Sequence, residues 1–63
     1  MGSVIGIDLG GTNIKAALVA KKGKVIKEYE TSTEANKGTK TVINNIISAI
    51  NEVKSGKISG IGI

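Results

Sequence analysis

An α/β fold, a small antiparallel β-meander followed by one amphipathic helix and a further strand, is what this sequence of 63 residues predicts. Three patterns carry that expectation. Short apolar, β-branched runs in the first half are separated by turns rich in glycine and lysine. Isoleucines then recur at three- and four-residue spacing, which is the period of a helix. Finally, isoleucines alternating with glycines restore the period of a strand.

Val4 to Leu9 is short, β-branched and bounded by Gly10-Gly11, so it reads as a strand apolar on both faces and therefore central in its sheet. Ile14 to Ala20 reads as a second strand, and the two glycines between them make the pair an antiparallel hairpin. Lys21-Lys22-Gly23-Lys24 forms the next turn, after which Val25 to Thr31 alternates apolar and charged residues like a half-exposed strand. Thr31 to Thr39, rich in Ser, Thr, Asn, Glu and Gly, is expected to carry the chain across one face of the sheet, with Asn36 or Thr39 capping the helix that follows. From Lys40 to Lys54 the apolar positions Ile43, Ile46, Ile47, Ile50 and Val53 define one helical face. Isoleucine and asparagine are weak helix formers, so tertiary packing must hold this segment. Gly56 suits a C-terminal cap, and Ile58 to Ile63 begins another strand.

A chain of this length makes at most one small domain and hides only about 60% of its unfolded surface. It has neither Cys nor His, so no disulfide and no zinc cluster reinforces it. By alternation Ile5, Ile7 and Leu9 face one way and Val4 and Gly6 the other, while Ile14, Ala16 and Leu18 oppose Ala17 and Val19. Both faces are apolar, yet a single helix covers only one, so self-association or further chain is expected to cover the second. The net charge of +4 arises from nine lysines set against five acids. These lysines are scattered, arginine is absent and Tyr29 is the only aromatic residue, a pattern of solvated surface rather than nucleic-acid binding. No apolar run is long enough for a signal-peptide core or a membrane span, and a cytoplasmic location is expected.

The stretch that carries chemistry is Asp8-Leu9-Gly10-Gly11-Thr12-Asn13-Ile14-Lys15. Two glycines in a tight turn remove the side chains that would keep a phosphate away from the backbone and leave N–H groups free to point at it. Thr12 adds a hydroxyl donor beside them. Asp8 ends the first strand with its carboxylate near the same place, where it can hold Mg²⁺ through water. Gly10-Gly11 alone reads as an ordinary hairpin turn and Asp8 as a solvated strand-end acid; the full run from Asp8 to Asn13 favours phosphate binding. Gly60 and Gly62 also match the opening of a dinucleotide-binding Gly-x-Gly, without the remainder of that motif.

This run resembles the first phosphate motif of hexokinase-type kinases, within the superfamily of hexokinase, actin and Hsp70. The order of strand, glycine hairpin, two strands, helix and strand is similar to the start of the bacterial glucokinases and of the ROK (repressor, open reading frame, kinase) group. The resemblance implies a ribonuclease-H-like, actin-like ATPase domain, with residues 1–63 as its incomplete N-terminal phosphate-binding part and the fourth strand parallel to the first. It further implies that Gly10, Gly11 and Thr12 contact ATP phosphates, that Asn13 orients the turn, that Lys15 offsets phosphate charge, and that Asp8 positions hydrated Mg²⁺. The implied activity is transfer of the ATP γ-phosphoryl group to a hexose hydroxyl, with ATP and hexose as partners. No acidic residue of the segment matches the family's general base, so no catalytic residue is assigned within it. Two alternatives stand beside this reading: a ROK-type sugar-responsive transcriptional repressor, and an isolated nucleotide-binding fragment without catalysis. Only three residues precede the first strand, which speaks against the helix-turn-helix of a repressor. Gly60 and Gly62, on this resemblance, are close-packing positions.

Overall fold

The structure is a computed structural model that describes residues 2–63. Its elements are β1 (Ser3–Leu9), β2 (Asn13–Val19), β3 (Val25–Ser32), a 3-10 turn (Ala35–Lys37), α1 (Thr39–Val53) and β4 (Ile58–Gly62). They form one four-stranded sheet in the order β3-β2-β1-β4. The first three strands are the expected antiparallel meander, and β4 runs parallel to β1. Helix α1 is thus a crossover between β3 and β4, two strands of like direction at opposite edges of the sheet.

The alternation read from the sequence decides which residues enter the core. Ile5 and Ile7 of β1 and Ile14, Ala16 and Leu18 of β2 are buried beneath the helix, joined by Ala49 and Val53 of α1. Tyr29, Ile46, Ile50 and Ile58 pack around this cluster. The register sets Ile5 beside Leu18 and Ile7 beside Ala16 on the face that the helix covers. On the opposite face Val4 lies across from Val19 and Gly6 across from Ala17, and no element covers them among the described residues. Val4 is 45% and Ile26 55% exposed there.

Several expectations are corrected by the position of the helix. Leu9 shares the face of Ile5 and Ile7 but is 46% exposed, because α1 sits over β2 and β3 and meets β1 only slightly. Ile43 and Ile47, assigned to the apolar helical face, are each half exposed on its flank, whereas Val53, Ile46 and Ile50 of that face meet the core together with Ala49, which the spacing did not name. Neither Asn36 nor Thr39 caps the helix. Asn36 lies inside the 3-10 turn and Thr39 is already helical, leaving Gly38, at φ 98°, as the capping residue without a side-chain bond. At the other end Lys54 closes the helix, its N–H donating to the Ile50 carbonyl, and Gly56 serves the turn into β4 with φ 64°. The turn at 21–24 forms as expected, tied by N–H donation from Ala20 to the Lys24 carbonyl and from Gly23 to the Ala20 carbonyl. Strand boundaries differ by one residue in β1, β2, β3 and β4, and the helix starts and ends one residue earlier than expected.

Gly60 and Gly62 are not close-packed within this chain. A methyl group added at either meets nothing within 4 Å among the described residues, so no neighbour here requires glycine.

Candidate functional site

The turn joining β1 to β2 brings the motif residues to one end of the sheet. It is closed by the N–H of Gly10, which donates to the Asn13 carbonyl at 2.9 Å. The two glycines have separate reasons. Neither adopts positive φ. A side chain at Gly10 would lie 3.0 Å from the Asn13 carbonyl oxygen that closes the turn, whereas at Gly11 it would meet nothing within 4 Å. Protein packing therefore asks for glycine at Gly10, while Gly11 presents bare backbone to open space.

Thr33, the residue after β3, docks against this turn and is only 3% exposed. Its N–H donates to the Thr12 carbonyl at 2.9 Å and its hydroxyl to the Gly10 carbonyl at 2.7 Å. A trans peptide holds its C=O and the following N–H on opposite sides, and the chain has no cis bond among the described residues. Drawing the Gly10 and Thr12 carbonyls toward Thr33 therefore turns the N–H groups of Gly11 and Asn13 away from it. The N–H groups of Gly11 and Thr12 donate to no backbone acceptor among the described residues. Free donors of this kind suit an anion.

Asp8 and Lys15 stand directly across from one another in the β1–β2 register, the last charged pair before the turn. Alternation with buried Ile7, Ile14 and Ala16 places both, together with Asn13, on the face away from the helix, and all three are exposed. Lys15 is in turn opposite Glu30 of β3. The structure thus brings Asp8, Gly10, Gly11, Thr12, Asn13 and Lys15 to a single corner. For magnesium the donor set is one hard carboxylate, and no group of three or more metal-ligating side chains occurs among the described residues. That set fits an ion which keeps several waters and takes its remaining oxygens from phosphate; it does not fit an all-protein cage.

On another flank of the turn a shallow cleft of about 350 Å³ opens between Gly11 and Thr12 and the segment of Ser32, Glu34, Ala35 and Asn36. Its outer wall is held by Asn45 of α1, whose amide donates to the carbonyls of Ser32 (3.2 Å) and Thr33 (3.1 Å) and to Oε1 of Glu34 (3.0 Å). Glu34 adopts the left-handed conformation, φ 57° and ψ 43°, which costs a non-glycine residue about 1 kcal/mol or more. Its other carboxylate oxygen pairs with Lys37 Nζ at 2.6 Å. Thr33 and Asn45 escaped the sequence reading. Their only signals were a threonine in a polar loop and an asparagine beside the apolar face of the helix, and neither points to its partner.

The Lys37 hydrogen bond, and then that of Asn45, lowers the Glu34 pKa from its ordinary value. A lowered carboxyl pKa adds stability that is present above the unfolded value and is lost as pH falls through the folded one. Lys37 is raised by the same pair, so its share is present below its ordinary range and is lost as pH rises through the raised value. The loop of residues 33–37 is therefore expected to be tight at neutral pH and to loosen as acid protonates Glu34. Amide hydrogen exchange followed from neutral pH to below the carboxylate range, corrected for intrinsic rates, checks this. Protection at Lys37 and Gly38 that stays constant throughout would contradict it.

No described helix is long and apolar enough to cross a membrane. Residues 4–63 match the ROK family. The chain is 39% identical over 54 residues to a glucokinase of Thermotoga maritima, a stretch covering 86% of this chain and 17% of that protein. It is 33% identical over 52 residues to a glucokinase of Halalkalibacterium halodurans, covering 82% of this chain and 16% of the relative. Among solved structures, a ROK family glucokinase from Streptomyces griseus, crystallised with glucose and AMPPNP, superposes with a TM-score of 0.72 at 22% identity over 97% of this chain and 20% of its own length. The sheet and its crossover helix are thus those of the actin-like ATPase fold, and the chain spans about a fifth or less of the length of these proteins. With the match extending from the first strand to the last residue, the chain belongs to the ROK family.

Proposed function

We propose that this segment is the incomplete N-terminal, phosphate-binding part of an ATP-dependent sugar kinase of glucokinase type. The observation that carries the proposal is the bare backbone at Gly11, open to solvent near the Asp8 carboxylate and the Lys15 ammonium group. Gly10, Gly11 and Thr12 present backbone and hydroxyl donors to the nucleotide phosphates, and Asn13 sets the end of the turn. Lys15 supplies positive charge on the same face. Asp8 holds hydrated Mg²⁺, which when bound neutralises charge on the phosphate oxygens.

Phosphoryl transfer depends on positioning and charge stabilisation, and this corner contributes to both. The base that accepts the proton of the sugar hydroxyl, and the pockets for adenosine and sugar, are assigned to chain outside these residues. ATP and a hexose are accordingly the proposed ligands, as the glucose and AMPPNP of the Streptomyces griseus protein support. The test is to purify the full-length chain carrying this segment and supply MgATP with glucose and a panel of other hexoses. Sugar-dependent ADP release, with the hexose phosphate identified by mass and NMR, is expected. Nucleotide turnover that is indifferent to every sugar, or none at all, would overturn the reading.

A further inference from the structure

We infer that Thr33 is the positioning residue of the phosphate turn, its hydroxyl holding the Gly11 backbone in the orientation that receives a phosphate; this rests on the phosphate-binding reading of the same turn. The turn has little to hold it in one conformation. A single backbone bond closes it, Gly11 lacks a side chain, and Gly11, Thr12 and Asn13 are all exposed. Unrestrained, a glycine backbone samples many orientations, and binding an anion would then require ordering the peptide at a cost in affinity.

Thr33 removes that freedom from both ends of the turn. Its hydroxyl holds the carbonyl of Gly10 and its N–H that of Thr12, so the intervening peptide units are fixed before any ligand arrives. Because the Gly10 carbonyl is turned toward Thr33, the N–H on its far side, at Gly11, is turned away from Thr33. The backbone half of this clamp survives any substitution except proline. The hydroxyl half depends on the side chain. Thr33 is held in place by the Asn45 amide, which donates to its carbonyl, so the restraint runs from the helix through the loop to the turn. Thr33 itself need not touch the ligand.

Valine is the decisive substitution, since it keeps the shape of threonine and removes the hydroxyl, and serine keeps the hydroxyl. In the full-length chain, binding of MgADP and of magnesium pyrophosphate is measured by calorimetry and by amide shifts, with the KM for the sugar as a control. Thr33→Val is expected to weaken both phosphate ligands by about tenfold, the effect of losing one part-buried hydrogen bond that orients the turn. The sugar KM should stay within about twofold, and Thr33→Ser should bind like the parent. If the parent itself shows no response at Gly10 to Asn13, the phosphate reading fails and the inference falls with it. If the parent binds and Thr33→Val binds equally well, the inference alone is overturned. The same holds if Thr33→Ser is as weak as Thr33→Val, or if sugar and phosphate affinities fall together, because the role is then one of general packing. Should Thr33→Val not fold, Thr33→Ser decides: parental affinity supports the hydroxyl, and a tenfold loss overturns it.

Discussion

Replacing Gly11 with valine is expected to abolish phosphate binding while leaving the fold intact. Most glycine substitutions fail because the backbone needs positive φ or because a neighbour is too close. Neither applies at Gly11, where φ lies outside the left-handed region and a Cβ meets nothing within 4 Å. The variant should therefore unfold within about 0.5 kcal/mol of the parent, as exposed substitutions usually do. An incoming phosphate, by contrast, would meet an isopropyl group where it needs to approach N–H donors. Loss of such positioned donors costs on the order of 100-fold or more. Calorimetry with MgADP and a thermal melt on the same samples separate the two effects. Retained affinity with an unchanged melting curve would show that phosphate binds elsewhere. The same substitution at Gly10 would not make a clean test, since its Cβ would press on the carbonyl that closes the turn.

The 63 residues on their own are expected to self-associate or to remain largely unfolded. Among the described residues, full apolar burial beneath the helix is confined to Ile5, Ile7, Ile14, Ala16, Leu18, Ala49 and Val53, a small core for paying the entropy of folding. The opposite face offers Val4, Ala17, Val19 and Val25 with no cover, and Ile43, Ile47 and Ile61 are half exposed at the helix flank and the sheet edge. Covering those surfaces, by a second copy or by further chain of the same protein, would supply what the single helix does not. Sedimentation and hydrogen exchange over a concentration series measure the outcome. A protected, folded monomer at low micromolar concentration would show that the helix-side core is sufficient.

How much of this was legible in the sequence differs between fold and site. Period-two alternation sorted the residues of β1 and β2 into the two sets the structure shows, because a strand has only two faces; which set is buried was decided by the docking of the helix. The exception, Leu9, is a matter of reach: alternation tells which face a side chain takes and says nothing of where the helix above it ends. The helix was harder for a related reason. Its isoleucines span a wide arc, and only the docking of α1 over β2 and β3 selected Ala49 and Val53 as the inward positions and left Ile43 and Ile47 on the flank.

The sequence by itself determined the membership of the candidate site's first layer, because Asp8 to Lys15 is contiguous in one hairpin, but not its register: a two-residue turn at Gly10-Gly11 would set Asp8 opposite Asn13, whereas the chain turns at Gly11-Thr12 and sets Asp8 opposite Lys15. What only the tertiary structure decided is the second layer. Thr33 lies 23 residues from Gly10 along the chain, and Asn45 a further stretch beyond it on the helix. Their hydrogen bonds exist because β3 delivers the chain back to the open end of the first hairpin and α1 then folds over it. Local propensity reports what a residue does with its neighbours in sequence; a threonine hydroxyl that meets a distant glycine carbonyl is decided by strand pairing and helix docking, which bring the two together only when the sheet is complete.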